Sequence, residues 1–598
     1  MLYSGILLGN LREQQGISQE ELSEGLCSKV HLFRIETGER EAEKLLFESL
    51  YQRLGKYSGR YETLLDNNEY SLQEKRWKLC QLIDDGKYEN ARLEIEDYKK
   101  LTDSVIHMQY LCLMECEIMD RTGESVEACM LKLEEAIGYT RTDFELDRME
   151  AYYLSRMEML IIEQYVRYME VSGHTYEAVL YYHRILGILD REYYDRSERN
   201  LQGRYVAYNL MKHYFDNKDY DMALHVANKA WEYTIGNNYI VFLAEVKECI
   251  LSCLEAQGRD MSDERRILKI LKRFNDRFGV MSAEDYFPRY AEERVYNVNE
   301  IIKQRRCMNK MTQEQLAADI CEVTSIWRME KGMTTLQREN KEKLLKMIKL
   351  SGDKYIANVD SYDINVFECI NKISDAMYSG NMNEAESYIK GLEAANVEWE
   401  LNSKQYIAIQ KYSIKMIQGA IQESDIEEIK LLLEERGIDI KAKIKDVILL
   451  NNEYALLYAV IKFYEQKKEY EICRNIIQYL LSTYKEYRIK NCAFIYIAVR
   501  TICGDVFGGM KQIEEANAHI LKGLQVSSKR DVMSHIRGLC YAYAWNILEE
   551  KSSISIQETN DCREFLEYAY ALCKVYGNTA RAKKCIDIAN KHYIILDV

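Results

Sequence analysis

Apolar and polar residues follow a helical rhythm along most of the chain, with large side chains three and four positions apart. Residues 2–15 carry Leu7, Leu8 and Leu11 on one side, which predicts an amphipathic helix that Gly16 ends. Ser18 is suited to cap the next helix, and Glu21, three residues on, completes a capping box. That second helix buries Leu22 and Leu26. A turn at Cys27-Ser28 leads to a third, with Leu32 and Ile35 inward and Gly38 closing it. Two short helices joined by a tight turn leave the later one proud of the surface, where it suits a DNA major groove.

The pattern then repeats. Residues 18–38 read SQEELSEGLCSKVHLFRIETG and residues 312–332 read TQEQLAADICEVTSIWRMEKG, an ungapped offset of 294. Gln19/Gln313, Glu20/Glu314, Leu22/Leu316, Cys27/Cys321, Arg34/Arg328, Glu36/Glu330 and Gly38/Gly332 are identical. Gly86/Gly380 and Tyr176/Tyr470 keep the same offset. The expectation is a duplicated chain with a junction around Pro288, between Tyr286 and Tyr296. Inside each copy a shorter motif recurs: a large apolar residue, one or two polar ones, then alanine or isoleucine. It falls at Tyr88, Val126, Tyr176 and Tyr220, and again at Met382, Ile426, Tyr470 and Ile513, where the spacings are 44, 44 and 43. Long amphipathic runs flank each motif, which predicts helix–turn–helix units stacked as an α-solenoid.

The segments 18–38 and 312–332 resemble the Cro-repressor-type helix-turn-helix. The short turn containing cysteine is similar to that of the PlcR/Rgg-type regulators of Gram-positive bacteria, which join such a domain to a tetratricopeptide-like solenoid that binds a short signalling peptide. The resemblance covers the chain twice. It implies an all-α fold of two helix-turn-helix domains, 1–66 and 295–355, alternating with two tetratricopeptide-like solenoids, 70–290 and 362–598. It also implies a cytoplasmic transcription regulator acting in quorum sensing. Such relatives usually carry proline shortly after the closing glycine; Gly38-Glu39-Arg40-Glu41 and Gly332-Met333-Thr334-Thr335 do not.

Side chains on the third helix of each unit that do not face the core are the expected base readers. They are Lys29, Val30, His31, Phe33 and Arg34 in the first copy, and Val323, Thr324, Ser325, Trp327 and Arg328 in the second. Arg34 and Arg328 suit either a bidentate bond to guanine or a phosphate contact. Gln19 and Gln313, at the start of the second helix, are expected to meet the DNA backbone and set register. Phe33 and Trp327 replace the small polar residue usual in the family, and suit thymine methyls or a protein surface. In PlcR-like relatives asparagines of inner helices clamp the peptide backbone. Asn209 resembles that position, with Tyr205, Tyr208, Lys212 and His213 as neighbours, while the aligned place in the second copy, near Ile502, is apolar.

Composition narrows the function classes. The 598 residues include one proline, which favours helices over strands and turns. Net charge is −15, so the chain is not coated with basic surface. The balance is local: residues 1–66 hold 8 basic and 11 acidic side chains, and residues 295–350 hold 11 and 7. The second unit is therefore the expected stronger DNA binder. The 17 cysteines include no CxxC pair, and reduced thiols in a cytosolic protein are expected, with no metal. No HExxH, GxSxG or Walker-type loop is present, so neither catalysis nor a cofactor is expected. Apolar runs fall short of the roughly 18 residues of a membrane span, and no secretory signal is read. The expected partners are double-stranded DNA and a short signalling peptide, with further dimerisation open. The alternative is a protein-interaction scaffold that does not bind DNA.

Overall fold

A computed structural model of the chain describes residues 3–193, 195–290, 294–378, 380–394, 399–439, 448–484 and 489–598. Residues 291–293, inside the expected junction, lie outside the described residues. Among the described residues the fold is all-α in character, with three short strands added. The first four helices are α1 (Tyr3–Gln14), α2 (Gln19–Ser23), α3 (Lys29–Glu36) and α4 (Lys44–Arg53), followed by β1 (Glu62–Leu65). Ten helices follow. They are α5 (Asn67–Asp84), α6 (Tyr88–Lys99), α7 (Val105–Thr122), α8 (Val126–Gly138), α9 (Arg156–Val171), α10 (Thr175–Glu192), α11 (Arg196–Asp216), α12 (Tyr220–Gly236), α13 (Leu243–Ala256) and α14 (Ser262–Phe278). Then come β2 (Val295–Asn297), α15 (Val298–Met308), α16 (Gln313–Ala317), α17 (Val323–Glu330), α18 (Arg338–Met347) and β3 (Tyr355–Ile356). The chain ends with α19 (Ile364–Tyr378), α20 (Met382–Ala394), α21 (Leu401–Gln418), α22 (Glu423–Glu435), α23 (Asn451–Gln466), α24 (Tyr470–Thr483), α25 (Ile489–Gly509), α26 (Ile513–Lys529), α27 (Ile536–Glu550), α28 (Ile556–Val575) and α29 (Thr579–Lys591).

The boundaries of α2, α3 and α4 recur at α16, α17 and α18 with an offset of 294 at both ends. Backbone geometry keeps the same register. Positive φ falls at Gly16 and Lys310, Gly25 and Asp319, Gly38 and Gly332, and Gly55 and Lys349, each pair 294 apart. The caps match too: Ser18 and Glu21 bond reciprocally at the start of α2, as do Thr312 and Gln315 at the start of α16. In the repeat helices a small side chain sits early in the second helix of a pair, where it lets its neighbour approach. Ala91, Ala178, Ala223, Ala385 and Ala516 are all fully buried, and Cys129 and Cys473 fill the corresponding places.

The chain forms two compact units, each drawing on both halves of the sequence: Met1–Ile118, Glu135–Ser155 and Ala291–Thr483 in the first, and Met119–Glu134, Arg156–Tyr290 and Tyr484–Val598 in the second. The first unit contains α1–α4 (the first head), α15–α18 (the second head) and a sheet of order β2-β1-β3. β1 runs parallel to β2, with Thr63 opposite Val295, and antiparallel to β3, with Glu62 opposite Ile356. Glu62 and Ile356 are themselves 294 apart, so β1 and β3 cross at corresponding residues. Leu64, Tyr296 and Ile356 join the core of the second head with Ile301, Leu316, Ile326 and Leu344. Tyr355 stacks on Phe47 of the first head, ring centres 3.7 Å apart. Each head also meets the opening repeat helix of the other half. Asn10 donates to the carbonyl of Tyr362 at 2.9 Å, just before α19, and Asn297 donates to Asn67 of α5 at 2.9 Å.

In the second unit α14 packs on α28, with Phe274 edge-on to Tyr568 at 5.3 Å and Arg273 donating to Glu567 at 2.5 Å. Asp531 accepts from the backbone N–H groups of Ile240 and Val241, both at 2.8 Å, and from Arg204. One stretch of α25, Cys492–Gly509, has the length and apolar composition of a membrane span; most of it is buried within the protein, as in a core helix.

Candidate nucleic-acid interface

The Ser28 side chain accepts from the N–H of His31 and starts α3; Leu32 and Ile35 anchor the helix inward. That leaves Lys29, Val30, Phe33 and Arg34 outward and exposed. Phe33 is 49% exposed and Trp327, its counterpart on α17, is 45% exposed, far above what packed aromatics show. Arg34 and Arg328 are both exposed. Lys29 pairs with Glu20 at 2.9 Å in solvent, a contact that costs little to break. His31 is half-buried, with Nε2 lacking a partner; burial, then Arg40 and Arg34, push its pKa down, so it is neutral at physiological pH. On α17, Thr324 is exposed and donates to Glu322 at 3.3 Å, while Val323 and Ser325 are half-buried. Val323 packs against the head's core.

Gln19 and Gln313 are tied inside their heads. Gln19 Nε2 donates to Glu36 at 2.6 Å, and Gln313 Nε2 donates to Glu330 at 2.7 Å. The same carboxylates receive forked guanidinium bonds: Arg12 to Glu36 at 2.6 and 2.9 Å, Arg306 to Glu330 at 2.6 and 3.0 Å. This bidentate geometry braces the third helix of each head against its first. Sequence reasoning passed over this brace. Its signal was present, because Arg12 and Arg306 are also 294 apart.

The basic side chains divide unevenly. In the first head Lys29, Arg34 and Arg40 are exposed, while Arg12, Lys44 and Arg53 are buried. In the second head Lys303, Lys310, Arg328, Lys331, Lys343, Lys346 and Lys349 are exposed. Arg305 is spent inside, on Glu453 at 2.5 Å and the Ile448 carbonyl at 2.8 Å. Arg338 and Lys341 of α18 reach the other head. Arg338 donates to the Gly38 carbonyl at 2.6 Å and to that of Glu39, and Lys341 pairs with Glu41 at 2.5 Å. The first head is also seated on the segment between α8 and α9. Arg141 bonds Glu24, and Gly25 (φ +68°) passes so close to Thr140 that a Cβ there would lie 1.8 Å from its carbonyl oxygen.

The five residues expected at a peptide all lie on α11, in the second unit. Tyr205 is buried and donates to Gln164 at 3.0 Å; burial pushes its pKa up to about 12. Tyr208 stacks on Phe242 at 4.6 Å. Asn209 is 9% exposed, and its Nδ2 has no hydrogen-bond partner. Lys212 is exposed and pairs with Asp216 at 3.1 Å, and His213 Nδ1 lies 3.2 Å from Glu170. Among the described residues no group of three or more His, Cys, Asp or Glu side chains is arranged to hold a metal ion.

No curated protein matches the chain. Three solved structures are similar at low identity. PlcR of Bacillus thuringiensis, in complex with the peptide PapR7 and DNA, is 14% identical, with 48% of this chain and 98% of that one covered at a TM-score of 0.29. The pheromone receptor Rgg2 of Streptococcus dysgalactiae is 13% identical, covering 50% and 100% at 0.25. The apo competence regulator ComR of Streptococcus vestibularis is 15% identical, covering 50% and 98% at 0.31. A helix-turn-helix family profile matches residues 8–55, and the chain carries a helix-turn-helix there.

Proposed function

We propose that this chain is a sequence-specific, DNA-binding transcription regulator and not an enzyme. In this reading residues 1–66 and 295–355 are two helix-turn-helix heads on one chain, a fused pseudo-dimer. The repeats at 70–290 and 362–598 are tetratricopeptide-like, and those of the first copy sense a short signalling peptide through Asn209 and its neighbours.

The observation that carries the reading is the braced, outward-facing α17, with Trp327 and Arg328 exposed among the lysines of its head. Phosphate neutralisation supplies most of the affinity of such domains, so free cations matter more than summed charge. Seven exposed basic residues in the second head against three in the first support the second as the stronger binder. Unequal recognition helices then call for an unequal, two-part operator. Scaffolding is the second reading; it draws on the first head, whose α3 exposes Val30 and Phe33 in an acidic setting.

Selection of random duplex DNA by the purified full-length protein tests this. Recovery of a two-part unequal site, with affinity falling steeply as salt rises, is the expected result. Absence of any enrichment at low salt would sink the regulator and leave the scaffold.

A further inference from the structure

The second unit buries a carboxylate that nothing among the described residues hydrogen-bonds. Glu163, on α9, is 1% exposed, and neither of its oxygens has a hydrogen-bond partner. Gln164 beside it is fully buried. Its Oε1 accepts from the Tyr205 hydroxyl at 3.0 Å, and its Nε2 has no partner. Across from them, on α11, the Nδ2 of Asn209 is also unpartnered. The Tyr205 hydroxyl lies beside both the Arg167 guanidinium and the Asn209 amide, which brings the two helices into one polar cluster.

Arg204 supplies positive charge nearby, yet it is committed elsewhere. It bonds Asp531 and the Tyr286 hydroxyl at 3.1 Å, and sits 3.7 Å from the centre of the Tyr239 ring. Burial without a partner holds the Glu163 carboxyl well above the ordinary carboxylate range. The repeat itself does not ask for this acid. The helix boundaries set α9 against α23 and α11 against α25, so Tyr458 stands at the place of Glu163 and the fully buried Ile502 at that of Asn209. The other copy builds the same helices with no acid at this place, so the carboxylate is not a packing requirement.

We propose that Glu163, Gln164 and Asn209 form a binding site for a cationic peptide group, with Glu163 as the counter-ion of an amine or guanidinium. The cluster offers two anionic acceptors and two amide donors. A lysine or arginine side chain, or a free amino terminus, next to peptide carbonyls has the complementary set. A cation beside Glu163 would favour its ionised form, which an acidic ligand would disfavour further. This assignment rests on the peptide-sensing reading above and adds the chemistry of the ligand.

The test is a selection of short random peptides on the full-length protein, followed by binding measurements with the winners. Enrichment of lysine, arginine or an obligatory free amino terminus is expected. Replacing that group by norleucine, citrulline or an acetyl cap should weaken binding about tenfold or more, as losing a buried charge partner does. Glu163→Gln should weaken the unaltered peptide equally, and the two changes together should cost no more than one. The peptide-side change reads the same contact on the native protein if Glu163→Gln fails to fold. Winners without a cationic group, or cationic winners indifferent to its replacement, would overturn this site and leave peptide sensing standing. Absence of any enriched peptide would overturn both.

Discussion

Arg34 and Glu36 stand two positions apart on α3 and do opposite work. Arg34 faces solvent, while Glu36 is gripped by Arg12 and Gln19. Glu36→Ala leaves the buried Arg12 guanidinium to the exposed Glu13 and the Ile17 carbonyl, and should cost about 2–3 kcal/mol of stability in a denaturant titration. Arg34→Ala should leave the unfolding midpoint unchanged and weaken binding to a selected operator by about 1–3 kcal/mol. The outward set Lys29, Val30, Phe33 and Arg34 was legible because helical spacing and the buried Leu32 and Ile35 decide which side faces out. The brace was marked only by the recurrence of Arg12 at Arg306, since a glutamate at the end of a short helix reads as solvated until its arginine, 24 residues earlier, is placed beside it.

At the scale of elements, the caps followed from local rules, but α2 stops at Ser23 and leaves Leu26 buried in the turn instead of the helix, and the sheet was not legible. β1 is the four-residue stretch Glu62–Leu65, and its partners lie more than 200 residues away. Nothing local marks so short a strand, because its pairing is decided by how the two heads pack. Glu62 is buried there, bonded by the Asn451 N–H at 2.9 Å and the Tyr296 hydroxyl at 3.2 Å, and burial raises its pKa to about 7. A carboxyl raised in the folded state stabilises fully below its unfolded value, and that contribution is lost as pH rises through the folded value. Asp353 and Asp360 of the same unit, raised to about 6 and about 7, act in the same direction. Stability should therefore fall between about pH 4 and pH 7, with Glu62 contributing roughly 3 kcal/mol at most. Glu62→Gln should flatten that dependence in melts across the range. The seat of the first head offers a steric test. Gly25→Ala meets the Thr140 carbonyl and a left-handed backbone, and should lower the melting temperature by several degrees, whereas Gly16→Ala, with open space around it, should cost only the backbone strain.

For the whole molecule, charge summed along the sequence pointed to the second head but overstated its free cations. Arg305, Arg306, Arg338 and Lys341 are used in holding the protein together. The exposed set still favours it, so Arg328→Ala should weaken operator binding more than Arg34→Ala, measured by fluorescence anisotropy on the same duplex. The salt slope of the native protein should shrink by about one unit for each phosphate-contacting lysine removed, beginning with Lys331 and Lys343. The interleaving of both chain halves within each unit was not legible, because periodicity reports which face of a helix is buried and not which distant helix covers it.

The crossing of β1 and β3 at Glu62 and Ile356 carries a consequence for gene dosage. In the proposed reading, two recognition surfaces that separate chains would have to assemble are joined by covalent bonds. Operator occupancy then rises in simple proportion to the number of molecules in the cell, where a reversible dimer would respond to its square. A regulator built this way keeps its occupancy when only a few copies are made. The two copies of the gene segment are also free to diverge, since a change in one half is no longer imposed on both sides of the contact.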